Sequence, residues 1–187
     1  MSVLPADVDA LRARVAAGEV FRYLCFWGHR GRADGAPSAA CFSQWFPAPF
    51  VVDGLRYATA EHWMMAEKAR LFGDEAAMAK VFAKDDPAAA KAAGRTVRGF
   101  DEATWQRRRS GIVVAGNLAK FGQHPALAAF LAATGDRILV EASPVDAVWG
   151  IGLAAEDPGA HDPDRWRGLN LLGFALMAVR ARLGGQA

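Results

Sequence analysis

The hydrophobic and polar positions divide the chain into mostly helical segments. Pro5 to Ala17 places Val8, Leu11 and Val15 on one face and stops at Gly18, which predicts a short amphipathic helix. Val20 to Trp27 is β-branched and aromatic, the pattern of a strand. The glycine-rich stretch from Gly28 to Ser38 predicts a loop. Phe50 to Tyr57 places apolar flanks around Asp53-Gly54, a pair that tolerates positive φ, and predicts a β-hairpin. A helix then follows from near Thr59 to about Phe72.

Beyond Gly73 the chain is strongly helical. Asp74 to Lys84 reads as one helix, and Asp86-Pro87 opens the next with an N-cap and a first-turn proline. Asp101 caps a long helix through Trp105, Ile112, Val113 and Leu118 towards Phe121. Pro125 to Thr134 is another, closed by Gly135. Arg137 to Glu141 returns to strand. A glycine-, proline- and aspartate-rich loop covers Trp149 to Arg167, and a last helix runs from about Leu169 to Leu183, ending at Gly184-Gly185. No linker or change of composition divides the 187 residues. The expected architecture is one α+β domain, mainly helical with a few short strands.

Composition adds exclusions. A net charge of +2 is too small to argue for nucleic acid by itself; Arg107-Arg108-Arg109 and the Arg95/Arg98 pair could supply local phosphate sites, but the three arginines read better as a solvated helix face. The start Met1 to Asp7 lacks the basic region and apolar run of a signal peptide, and no segment approaches the ~20 apolar residues that cross a bilayer. Cys25 and Cys41 have neither CxxC spacing nor disulfide density, so a reduced, cytoplasmic protein is expected. His29, His62, His124 and His161 are scattered, and neither a metal nor a cofactor is expected. GxGxxG, Walker-type, GxSxG and kinase motifs are all missing.

The candidate chemistry begins at Thr59-Ala60-Glu61-His62-Trp63. Thr59 caps the helix, and Glu61 sits in the first turn among apolar side chains, a setting that perturbs a carboxylate. Complementing the helix dipole is its plainer role. Lys68 lies two turns further along nearly the same face, ~10 Å up the axis, so the two can line one groove without pairing. Asp146 is followed by Trp149, Gly150 and Gly152, a pattern that suits close approach of backbone to a ligand, or simply a turn with a packed indole. Asn170 either caps the last helix or presents its amide to a ligand. Trp27, Trp45, Trp63 and Trp149 each stand beside a polar or glycine-rich signal and could stack on a base or sugar.

In order along the chain come Phe42-Ser43-Gln44-Trp45-Phe46, the Glu61 to Ala69 helix, Lys120-Phe121 with His124-Pro125, and Leu139-Val140-Glu141 before Asp146, Trp149 and Gly150. Asn170, Leu172 and Gly173 with Leu176-Met177 complete the set. This combination resembles the NADAR family, also called YbiA-like, over about residues 20–183, with 1–18 as an N-terminal helical extension.

The resemblance implies a YbiA-like fold and N-glycosidase chemistry. The substrate it implies is a small phosphorylated riboside such as the ribosylamino-pyrimidine intermediates of riboflavin synthesis. The alternative is removal of ADP-ribose from guanine, or processing of NAD-derived ADP-ribosides, and nucleic acid enters only there. By motif, Glu61, Lys68, Asp146, Trp149 and Asn170 fall on pocket positions; Glu61, Asp146 and Lys68 are the expected catalytic set, with either Glu61 or Asp146 as the base. Trp27, Gly28, Ser43, Gln44, His62, Trp63, Arg95, Arg98, Trp149, Gly150 and Asn170 form the substrate-binding set, with an arginine meeting phosphate. Two departures stand out: the family often has Gln at Met65 and Asn at Gln44. The loop 154–165 is also longer than in compact relatives. No membrane partner is implied, and the oligomeric state is left open.

Overall fold

The computed structural model describes residues 4–185. Seven α-helices are present among these residues: α1 (Val8–Ala16), α2 (Ala60–Leu71), α3 (Glu75–Val81), α4 (Pro87–Arg95), α5 (Glu102–Gln123), α6 (Pro125–Ala132) and α7 (Leu171–Gly184). Four short strands accompany them: β1 (Tyr23–Phe26), β2 (Phe50–Val52), β3 (Leu55–Tyr57) and β4 (Ile138–Glu141). The fold is α+β and mainly helical. None of these helices is long and apolar enough to cross a membrane.

Local chemistry accounts for most of the boundaries. Asp74, Asp86 and Asp101 each accept a backbone N–H of the first helical turn, and Thr59 accepts from His62 N at the start of α2. Asp53 and Gly54 both take positive φ, at 50° and 77°, which closes the β2–β3 hairpin as a tight turn. The long helix runs past Gly122 to Gln123, because His124-Pro125 starts the next element and so sets the stop.

α2 is the hub. Residues 60–66 are buried on every side, which suits a helix enclosed by neighbours better than an amphipathic one. Two glycines allow that enclosure. A Cβ on Gly116 of α5 would meet the Trp63 ring at 2.2 Å, and one on Gly94 of α4 would meet Met65 Sδ at 2.0 Å. The other organising contact is the parallel pair β1–β4, in register from Tyr23 with Ile138 to Phe26 with Glu141. Residues 138–140 are fully buried there, and Glu141 emerges at the strand's carboxyl end.

The loop 154–165 lies away from the cleft described below. Trp166 Nε1–H donates to Ala160 O at 3.0 Å, and Arg12 of α1 donates to Pro163 O and Trp166 O. The loop and the N-terminal helix are therefore tied to each other.

Candidate active site

One end of α2, the start of the segment after β4, and facing surfaces of α4 and α5 enclose a cleft of about 490 Å³. Glu61 and Asp146 both line it, although 85 residues of chain separate them. Lys68, Ser43, Gln44, Arg95 and Trp149 line it as well.

Glu61 is only 3% exposed. Burial pushes its carboxyl up to about 7, and Asp146 adds to the rise. Lys91, a hydrogen bond with the Trp45 side chain, and Arg95 oppose it. Glu61 Oε1 has no hydrogen-bond partner within the protein. A buried oxygen without a partner, on a residue that lines a cleft, calls for one from a ligand or water. Its backbone is fixed from outside the helix, since Glu61 N donates to Gln44 O at 2.9 Å.

Glu141 is a second perturbed carboxyl, pushed up to about 8 by burial, then by the charges of Asp146 and Glu61, with Lys91 opposing. Its Oε2 also lacks a partner. The two are interacting acids, both raised by burial, so the pair gives up its protons in two coupled steps. Asp146 is oriented differently. Its Oδ1 accepts from Val148 N and Trp149 N, both at 2.8 Å, which aims the residue and anchors the Trp149 backbone.

Cations and rings complete the walls. Lys91 and Arg95 stand one turn apart on α4, and Lys91 Nζ lies 5.9 Å from the Trp45 ring centroid. Lys68 Nζ sits 4.2 Å from the Phe100 ring, its pKa lowered by burial and held up in part by Glu102. Arg109 and Trp105 contribute from α5. The solvated face expected of Arg107 to Arg109 therefore holds for Arg107 and Arg108, while Arg109 is half-buried in the cleft wall.

Seven residues expected to bind substrate lie outside this cleft. His62 is buried, its Nδ1 against Thr59 Oγ1 and its Nε2 against Lys84 O, because the third position of α2 faces the α3–α4 connection. Trp63 is core: its indole N–H donates to Ile112 O and its ring packs edge-on to Tyr57. Arg98 grips the buried Asp74 through two side-chain bonds and its backbone N–H, holding that carboxyl below its usual range, so it is no phosphate ligand. Trp27 is 60% exposed and the adjacent Gly28 lies in open space, neither reaching the cleft lining.

Asn170 and Gly150 shape the site from behind. Asn170 is fully buried in the left-handed region at φ 52°. Its side chain neither caps α7 nor enters the cleft, but donates to Leu139 O and accepts from Glu141 N. Gly150 approaches backbone rather than ligand, since a Cβ there would meet Glu141 O at 2.7 Å.

Lys91, Glu141, Glu102 and Trp105 were not singled out from the sequence as site residues, and Arg109 only as part of an arginine run. Two had a usable signal: Lys91 and Arg95 recur at helical spacing on an otherwise alanine-rich helix, and Glu141 ends an apolar strand. Among the described residues, no group of three or more His, Cys, Asp or Glu side chains is placed to hold a metal ion.

Fold and cleft together define a class: a mainly helical α+β protein whose pocket sets two buried, raised carboxyls among cations and indole rings, an arrangement that suits a hydrolase of glycosyl bonds. The chain belongs to the NADAR domain family, whose model matches residues 25–184. A mimivirus relative from Acanthamoeba polyphaga mimivirus, named N-glycosidase R617, is 40% identical over 167 residues, covering 87% of this chain and 96% of that protein. N-glycosidase YbiA of Escherichia coli K12 is 32% identical over 142 residues, covering 76% of this chain and 80% of YbiA. The solution structure of E. coli YbiA superposes with a TM-score of 0.69 at 27% identity, covering 88% of this chain and 86% of that one.

Proposed function

We propose that this cleft hydrolyses the N-glycosidic bond of a small phosphorylated ribosylamino compound, of the kind formed in riboflavin synthesis. Hydrolysis of an N-glycosyl bond is the activity its relatives are named for. The observation that carries the reading to this chain is the buried Glu61 carboxyl, raised to about 7, sharing its cleft with Glu141 at about 8. Near neutral pH one of such a pair is ionised while the other still holds a proton, so base and acid coexist.

Breaking C1′–N leaves the electron pair on nitrogen and positive charge on the ribose ring. The Glu61 carboxylate takes a proton from water as the water oxygen bonds to C1′. Glu141 gives its proton to the departing nitrogen. Base help of this kind contributes roughly 10²–10⁴-fold. Asp146, oriented by two backbone amides, faces the developing cation with a third carboxylate. Lys91, Arg95 and Arg109 offer phosphate contacts, Lys68 a contact to a hydroxyl or phosphate, and Trp45, Trp105 and Trp149 flat faces for the base. The two free cysteines suit a reducing, cytoplasmic setting.

A second reading, hydrolysis of ADP-ribose from guanine, has one observation in its favour. Arg109 in the cleft wall continues into the exposed Arg107 and Arg108, a basic approach along α5. Mass spectrometry of products separates the two. The protein is incubated with a ribosylamino-pyrimidine phosphate and, separately, with an ADP-ribosylated guanine oligonucleotide. Ribose phosphate released from the first alone supports the proposal. Cleavage of the second alone replaces it with the alternative.

A further inference from the structure

Lys120 is fully buried on α5, lies outside the cleft lining, and plays no part in the chemistry above. Its ammonium donates to Cys41 O at 2.6 Å and to Ser43 O at 3.1 Å. The Phe121 and Phe46 rings lie 5.2 and 5.7 Å away. Among the described residues it forms no ion pair. An ammonium is costly to remove from water, and an apolar side chain of the same length would fill this space without that cost. Packing alone therefore does not account for a lysine here.

What Lys120 grips is the strap that builds one wall of the cleft. The strap leaves a short 3-10 turn, Ala39–Phe42, whose last carbonyls have no partner within the turn. Two of the segment's carbonyls, from residues 41 and 43, converge on one point. Their dipoles repel unless a donor with several hydrogens stands between them, and an ammonium supplies three. One turn earlier on α5, Asn117 Nδ2 donates to Gln44 Oε1 at 2.8 Å and to Val113 O at 2.9 Å. Gln44 O in turn accepts from Glu61 N, and the next residue along the strap is Trp45, which meets the Glu61 carboxyl.

We propose that Lys120, seconded by Asn117, is a positioning residue that locks the 41–45 strap in the conformation that places the Glu61 carboxyl and the Trp45 indole for reaction. The proposal rests on the reading of Glu61 as the reacting carboxyl. Burial lowers the Lys120 pKa to about 8, with the Cys41 thiol the group facing it, so the ammonium is in place at neutral pH.

The test uses the whole chain carrying Lys120→Met, with Asn117→Leu as the second variant should the first fail to fold. Two readouts are needed: kcat and KM for the ribosylamino-pyrimidine phosphate, and titration of the Glu61 carboxyl by carbon NMR without substrate. Around that carboxyl stand Trp45, Lys91, Arg95, Glu141 and Asp146. The expected result is a folded protein whose kcat is lower by roughly 10–100-fold, the scale on which ~1 Å of misplacement is felt. KM stays within about threefold, and the Glu61 midpoint moves. A folded variant with native kcat and a native Glu61 midpoint overturns the proposal. If the native protein cleaves neither candidate substrate but the Glu61 midpoint still moves, the positioning role stands and the functional reading falls.

Discussion

Asn170 holds Glu141 by the backbone: its side chain accepts from Glu141 N at 2.9 Å and donates to Leu139 O at 2.8 Å, across 29 and 31 residues of sequence. One buried amide thus joins the start of α7 to the strand that delivers the second perturbed carboxyl. Gly173 makes room for it, since a Cβ there would meet Leu139 O at 2.0 Å and Asn170 Nδ2 at 2.5 Å. Replacing Asn170 with Ala strands two buried backbone groups and puts a residue without a polar side chain in the left-handed region. Denaturant unfolding should show a loss of about 1–3 kcal/mol. Turnover should fall as well, because Glu141 loses its anchor. Native stability in that variant would show that the amide is dispensable.

The paired acids fix the shape of the pH–rate profile. The proposed mechanism needs one of Glu61 and Glu141 ionised and the other protonated, and burial raises the two carboxyls to about 7 and about 8. The profile of kcat/KM should be a narrow bell, rising through about 7 and falling through about 8. Glu141→Gln should erase the alkaline limb along with most of the rate. A profile flat from pH 5 to 9 would remove both carboxyls from the chemistry.

The same groups make stability depend on pH. Both are raised above their ordinary value of 4.5, so the folded state binds more protons than the unfolded chain above that value. Their contribution is present below pH 4.5 and is lost as pH rises through 7 and 8. Glu61→Gln should therefore match the native protein within about 1 kcal/mol at pH 5 and exceed it at pH 8. Lys120 acts in a higher window. Its pKa is lowered from 10.5 to about 8, the unfolded chain binds the extra proton between those values, and stability recovers as pH rises through that range. Melting temperatures at pH 5, 8 and 10 of the native and Glu61→Gln proteins check both signs.

In the proposed mechanism Lys91 and Arg95, one turn apart on α4, meet the phosphate together with Arg109. Arg95→Ala should raise KM for a phosphorylated riboside by roughly tenfold or more, the scale of a lost charge-assisted hydrogen bond, and leave KM for the dephosphorylated compound nearly unchanged. Equal effects on both substrates would place the phosphate elsewhere.

Features set by near neighbours were legible before folding. The caps at Thr59, Asp86 and Asp101 and the Asp53-Gly54 hairpin each depend on residues within a few positions, and the structure has them where the pattern predicted. Glu61, Lys68 and Asp146 were singled out from their surroundings and share one cleft. What the pattern could not reveal depends on distant partners. Arg98 had the look of a phosphate ligand until Asp74, 24 residues away, claimed it. His62 and Trp63 share the helical turn of Glu61, but successive helical positions point some 100° apart, which sends both into the core. Glu141 and Lys91 do not stand out as site residues in the sequence, because their burial and charge environment exist only once β1 pairs with β4 and α4 packs on α2.

The account turns on Glu61 as the group that takes the water's proton. Its most direct test is the steady-state rate of ribose phosphate release from a ribosylamino-pyrimidine phosphate at pH 7, compared between the native protein and Glu61→Gln of verified fold. The rate should drop by roughly 10²–10⁴-fold in the variant. Release at close to the native rate would contradict the assignment.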